Sequence, residues 1–229
     1  MTEHANPPNI LITGATGGLG KALALACAER GARVILLDRN KRLLERLCDQ
    51  VESLGAPAPG YADLDLSEVG PEQLTELVGG LADAYGPLTG LVHAAVRFDG
   101  LRPLDQIPPE DWLMDLQVNL NVVWLLTCAC LPSLKAAQGA VVFLVDGDAE
   151  GKAYWGSYGA SKAALGSLAA TLSEELGQSG CRSLAIDPGP MRTDLRATAY
   201  LGENPGSIPP PSEAAERIAT VLLDDSSSP

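Results

Sequence analysis

Three apolar residues, Ile10-Leu11-Ile12, run directly into Thr13-Gly14-Ala15-Thr16-Gly17-Gly18-Leu19-Gly20, and an apolar-periodic segment follows from Ala22 to Ala28. A buried strand that turns through glycines into a helix makes a seat for a phosphate. Positions without side chains let backbone N–H groups approach a diphosphate, and the helix N-terminus adds favourable partial charge. Glycines also punctuate ordinary turns, so the loop by itself says little. Its strand–turn–helix setting points to a bound dinucleotide.

The rest of the chain keeps alternating. Strand-like runs are expected at Asn9–Ile12, Arg33–Leu37, Gly60–Ala62, Leu91–Ala94, Ala140–Val145 and Arg182–Ile186. Helical patterns lie near Gly18–Arg30, Lys41–Leu54, Pro71–Tyr85, Pro108–Ala137 and Ser157–Gly177, with another starting near Ser212. This order predicts an α/β fold: a Rossmann-like, doubly wound parallel sheet with helices on both faces and right-handed crossovers. Ligands of such sheets bind at the carboxyl ends of the strands, so functional residues are sought just after each strand. The 229 residues, with no repeat and no low-complexity linker, suit a single domain over 1–229. The Pro/Gly-rich stretch Gly202 to Pro211 reads equally as a lid over the site or as a surface loop.

A net charge of −13 argues against nucleic acid or an anionic membrane as partner. It leaves an anionic dinucleotide possible, because backbone N–H groups bind it locally. Cys27, Cys48, Cys128, Cys130 and Cys181 are scattered through apolar stretches, and with only His4 and His93 no metal-ligand spacing appears. Reduced thiols, no metal site and a cytoplasmic location are expected. Met1 to Pro8 has no signal-peptide core, and Val118 to Pro132, interrupted by Asn119 and Asn121, is too short to span a bilayer. A soluble chain with a frayed polar tail at Asp224–Pro229 is the expectation.

Thr13, Gly14, Gly18 and Gly20 form a T-G-x-x-x-G-x-G pattern that resembles the short-chain dehydrogenase/reductase family, and the resemblance extends over nearly the whole chain. It implies that Gly14, Thr16, Gly17, Gly18, Leu19 and Gly20 hold the diphosphate of a nicotinamide cofactor. Asp38 would accept both hydroxyls of the adenine ribose and repel a 2′-phosphate, whereas Arg39 could pair with one; NAD is favoured over NADP. Asp65-Leu66 resembles the pair that reads the adenine, with Asp63 an alternative, and either aspartate could instead start a helix. Pro188, Gly189 and Thr193 match the P-G-x-x-x-T segment that packs on the nicotinamide.

Tyr158 and Lys162, four residues apart, fall on one helical face. A neighbouring ammonium favours the phenolate and draws its pKa towards neutrality, suiting Tyr158 to give a proton to a carbonyl or take one from an alcohol. Hydride transfer is cofactor chemistry that the protein positions. The resemblance gives both residues a place beside the nicotinamide and makes Asn119 the active-site asparagine, whose backbone carbonyl holds a water linked to the lysine. Phe98, Trp155, Met191, Leu195 and Tyr200 would line a partly apolar substrate pocket.

The family pattern fails in three places. Its N-A-G after the fourth strand reads here Ala94-Ala95-Val96, which removes inter-strand hydrogen bonds and adds a branched side chain near the cofactor. Its catalytic serine is missing: counting back from Tyr158 reaches Val145, whereas aligning the strand reaches Asp146. An ionised Asp146 would oppose a developing alkoxide and raise the tyrosine, while a protonated one could donate the missing hydrogen bond. Ser157 points elsewhere on the helix. A seventh strand is not evident before the tail, which puts one common tetramer contact in doubt and leaves either a homodimer through the long helix and the Tyr158 helix or no partner, their apolar faces being satisfied by the sheet. The chain is therefore expected to be an oxidoreductase acting on a small carbonyl or alcohol, the competing reading being a dinucleotide-binding relative without catalysis.

Overall fold

In the computed structural model, which describes residues 6–223, six strands form one parallel sheet. They are β1 (Asn9–Thr13), β2 (Arg33–Asp38), β3 (Gly60–Asp63), β4 (Gly90–His93), β5 (Ala140–Leu144) and β6 (Arg182–Ile186), in the order β3-β2-β1-β4-β5-β6. Each expected strand is present to within a residue or two. The tail Asp224–Pro229 lies outside the described residues.

The centre of the sheet is buried on both faces, so β1, β4 and β5 are inaccessible along their whole length and read as continuous apolar runs. Their alternating side chains feed two separate cores. Ile10, Ile12, Val34 and Leu36 face one side, where α1 (Gly18–Glu29), α2 (Lys41–Ser53) and α8 (Pro211–Leu223) pack. Leu11, Ile35, Leu37 and Phe143 face the other, beneath α3 (Pro71–Tyr85), α5 (Val122–Ala136) and α6 (Gly156–Leu176). Starts are set locally: the Asn40 side chain accepts the Leu43 N–H to cap α2, and Pro71 opens α3.

The long helix differs from its sequence pattern. It runs as α4 (Pro109–Leu116), a π-helical turn over Gln117–Asn121, and α5. The wide turn, a feature that recurs at functional sites, puts Asn119 inside the molecule. Continuous from Pro109 to Ala136, the helix is long and apolar enough to cross a bilayer, contrary to the sequence expectation. Val122, Val123, Leu126, Cys130 and Leu134 are nonetheless buried against the sheet and its neighbours. A short helix not expected from sequence, α7 (Asp194–Ala199), follows β6.

Candidate active site

A cavity of about 670 Å³ opens at the carboxyl ends of the strands. Its floor on one side is the loop Gly17–Gly20, and on the other are Tyr158, Lys162 and Asp146.

The loop has its shape because side chains would not fit. A Cβ on Gly20 would lie 2.2 Å from the Gly14 carbonyl oxygen, and one on Gly14, where φ is +61°, would lie 2.6 Å from the Ala95 backbone. The segment after β4 therefore packs directly on the glycine turn. Thr13 holds it there, its hydroxyl accepting the Ala95 N–H at 3.1 Å. That bond partly replaces the ties that Ala94 cannot make; Ala94 and Val96 both line the cavity. Gly18 meets the methyl group of Thr193, whose hydroxyl accepts the Arg196 N–H to cap α7. Pro188, Gly189 and Thr193 thus close the cavity over the loop.

A second group of expected residues lies away from this cavity, around the end of β2. Asp38 accepts the Thr16 N–H at 3.1 Å and the Asn40 N–H at 3.3 Å. Arg39, its side chain 75% exposed, stands 3.7 Å from Asp65, which accepts the Ser67 N–H and hydroxyl. Those bonds hold the Asp65 carboxyl below its ordinary range. Neither Asp63 nor Asp65 caps α3, a place taken by Gly70. Leu66 is buried with Val69 and Leu74.

Val145 and Asp146 both line the cavity, and Asp146 is the one that meets Tyr158. Val145 packs with the core beneath α5 and α6. Asp146 turns outward, accepting the Tyr158 hydroxyl on Oδ2 at 2.9 Å and the Ala149 N–H on Oδ1 at 3.2 Å. Asp187, one residue past β6, braces the same turn by accepting the Gly147 and Gly189 N–H groups at 3.0 and 2.8 Å. Lys162 is buried, donates to the Leu144 carbonyl at 2.8 Å and lies 5.5 Å from the centre of the Tyr158 ring.

The electrostatics depart from the sequence expectation. Tyr158 is not drawn towards neutrality; burial above all, then the Asp146 charge and hydrogen bond, and then Asp187, raise it well above its ordinary value. Burial brings Lys162 down to about 8, against the opposing pull of Asp146 and Asp187. A tyrosine in this setting is protonated and gives its proton up reluctantly.

Asn119 and Ser157 belong to a network that the sequence did not reveal. The Asn119 amide bonds both backbone groups of Arg97, accepting its N–H at 2.7 Å and donating to its carbonyl at 2.9 Å. The Arg97 guanidinium reaches Asp115 at 2.8 Å, Asp111 at 2.9 Å and Asp99. Asp115 in turn accepts the Ser157 hydroxyl, beside Tyr158. This framework fixes Phe98 so that it stacks on Trp155 and meets Tyr158 edge-on, both at 5.3 Å. Phe98, Trp155, Met191, Leu195 and Tyr200 all line the cavity, as expected. The segment 202–211 supplies Pro209 and Pro210 to its rim. Among the described residues no cluster of metal-ligating side chains occurs, and all five cysteines are free.

Comparison with known proteins bears on this arrangement. The sequence model of the short chain dehydrogenase family matches residues 8–204. The chain is 34% identical over 219 residues to an uncharacterised oxidoreductase of Escherichia coli K12, YciK, covering 95% of this chain and 86% of that one. It is 32% identical over 229 residues to the 3-oxoacyl-[acyl-carrier-protein] reductase FabG of Thermotoga maritima, covering 95% and 91%. A solved short-chain dehydrogenase of Escherichia coli CFT073, complexed with NADPH, superposes with a TM-score of 0.91 at 34% identity, over 96% of this chain and 92% of the other.

Proposed function

The chain belongs to the short-chain dehydrogenase/reductase family, and from that premise we propose that it moves a hydride between a nicotinamide cofactor and a small carbonyl or alcohol, with Tyr158 handling the proton. One observation carries the reading: a single cavity is lined by the glycine loop on one side and by Tyr158, Lys162 and Asp146 on the other.

The residues fit the cofactor. The glycine turn is packed so closely on the Gly14 and Ala95 backbones that its outer surface is left bare, with the N-terminus of α1 behind it. Gly14, Thr16, Gly17, Gly18, Leu19 and Gly20 would hold the diphosphate. Asp38 and Arg39 would take the adenine ribose, Asp65 and Leu66 the adenine, and Ala94, Ala95, Pro188, Gly189 and Thr193 the nicotinamide end. When bound, the nicotinamide supplies the hydride or accepts it. For the adenosine half we favour NAD, because an Asp38 carboxylate beside the adenine ribose would repel a 2′-phosphate. The solved relative carries NADPH, and the exposed Arg39 makes the choice a direct measurement.

Tyr158 gives the proton in the reducing direction. Lys162 lies beneath its ring, and Asn119 holds the Val96–Phe98 segment that forms a wall of the pocket. Asp146 would stand in for the family's serine, a reading supported by its hydrogen bond to the Tyr158 hydroxyl. A carbonyl panel with NADH and NADPH, run beside Tyr158→Phe, tests this reading. Turnover lost at least a hundredfold in the variant supports it; binding without turnover, the same in both proteins, favours a relative that binds dinucleotide without catalysis.

We also place the protein in the cytoplasm, on the strength of five unpaired cysteines, and as a homodimer through α5 and α6. Leu113 and Trp124 are 66% and 51% exposed on the outer side of the long helix, and Ala160, Ala163 and Ala170 are exposed along α6. Sedimentation of the native chain and Trp124→Glu tests the dimer: two subunits falling to one support it.

A further inference from the structure

The group beside the reacting phenol carries the wrong charge for carbonyl reduction. As a carbonyl accepts hydride, negative charge grows on its oxygen, and the Asp146 carboxylate, 2.9 Å from the Tyr158 hydroxyl, opposes it. The same charge would attract a substrate that arrives as a cation and is still partly positive in the transition state.

Other features of the cavity point the same way. Asp148 and Asp187 line it together with Asp146. Its basic groups are engaged: Lys162 with the Leu144 carbonyl, Arg196 with Glu203 through two bonds of 2.7 and 2.6 Å, and Arg217 with the Pro188 carbonyl. The same cavity is lined by Phe98, Trp155 and Tyr158. Phe98 stacks on Trp155 at an interplanar angle of 22°, and Tyr158 lies 5.3 Å from both rings. Aromatic faces and a carboxylate together bind a flat organic cation.

Resting on the hydride-transfer reading above, we propose a further activity for this site: reduction of the C=N bond of flat, protonated cyclic imines, whose N–H is held by Asp146 against the wall of Phe98, Trp155 and Tyr158. The step balances without further reagents. The imine carbon gains a C–H bond from the hydride, the C=N π pair becomes the nitrogen lone pair, and the substrate cation becomes a neutral secondary amine. The two electrons come from the reduced nicotinamide, which is oxidised. The nitrogen keeps the proton it brought, so Tyr158 need not give one up.

The test uses dihydroisoquinoline as the imine, tetralone as a carbonyl of similar shape, and tetrahydroisoquinolinium as the cationic product. The native chain is expected to reduce the imine at least tenfold faster, in kcat/KM, than the ketone. In Asp146→Asn, which keeps the size of the side chain and removes its charge, the ratio of imine to ketone reduction in kcat/KM should fall about tenfold or more. Titration calorimetry of the product amine needs no turnover and should show a matching loss of affinity in the variant. Unchanged amine binding in Asp146→Asn, or a native preference for the ketone, would overturn the proposal. Failure to bind NADH and NADPH would strike the oxidoreductase reading instead, and the amine titration would be untouched by it.

Discussion

The Tyr158 hydroxyl donates to the Asp146 carboxylate at 2.9 Å, and on the reading proposed above Asp146 stands in for the family's serine. A serine would share the reacting oxygen with the tyrosine. Asp146 instead adds negative charge and holds the phenol's proton in place. Asp146→Ser is therefore expected to raise carbonyl reduction about tenfold or more, since one well-placed donor is worth at least that much in rate. Steady-state kinetics on a single ketone checks it; an unchanged rate would mean that Asp146 does not restrain the chemistry.

Lys162 gives the fold a signature in alkaline solution. Its proton is held to 10.5 in the ordinary side chain but only to about 8 in the folded chain. Between those values the unfolded state binds more protons, so stability rises with pH through the window, by up to about 1.4 kcal/mol per pH unit. Below pH 8 both states carry the charge and the cost of burying it is felt in full. Cys27 and Cys130, pushed up from 9.0 to about 12 by burial, act oppositely above pH 9. Urea unfolding should therefore show a rise from pH 8 to pH 9 that is absent in Lys162→Met.

His93 gives a matching signature in acid. It is buried, stacks on Phe143 at 5.4 Å and bonds the Thr127 hydroxyl at 2.8 Å, and burial lowers it from 6.5 to about 3. As pH falls through that range the unfolded chain takes up a proton that the folded chain refuses, so stability falls with it. His93→Phe should be less stable at pH 7 yet lose less on acidification. Denaturation midpoints at pH 7 and pH 4.5 separate the two effects.

Arg97 and Asp115 are expected to be strongly coupled. Removing the guanidinium leaves a buried carboxylate beside Ser157 with no cation, at a cost of about 1–3 kcal/mol given the partial exposure of Arg97. Asp115→Leu in the Arg97→Met background should restore part of that loss. A double-mutant cycle reads the coupling directly, and additive effects would show the pair to be independent. A rise in KM in Arg97→Met would mark the displacement of Phe98.

Most of the fold was legible in the sequence, because burial makes the central strands β1, β2, β4 and β5 largely apolar runs and leaves α2 and α8 amphipathic. The cavity-lining residues followed from the rule that parallel sheets bind at strand ends. What escaped has specific causes. Apolar periodicity over 109–136 reads as one uniform helix, so the π turn at Asn119 left no trace. Six residues capped by Thr193 are too few to show a period, so α7 was missed. Val145 and Asp146 differ by a single loop residue, and only the outward turn after β5, braced by Asp187, settles which one meets Tyr158. The Arg97 network joins charges from separate stretches of the chain, which spacing along the sequence cannot pair.

Titration calorimetry of the native chain with NADH and NADPH tests most directly whether the bare glycine turn, across the cavity from Tyr158, seats a nicotinamide dinucleotide. Saturable binding of one cofactor per chain is predicted, tighter for NADH, with Asp38→Ala narrowing the difference. No binding heat from either cofactor would contradict the account.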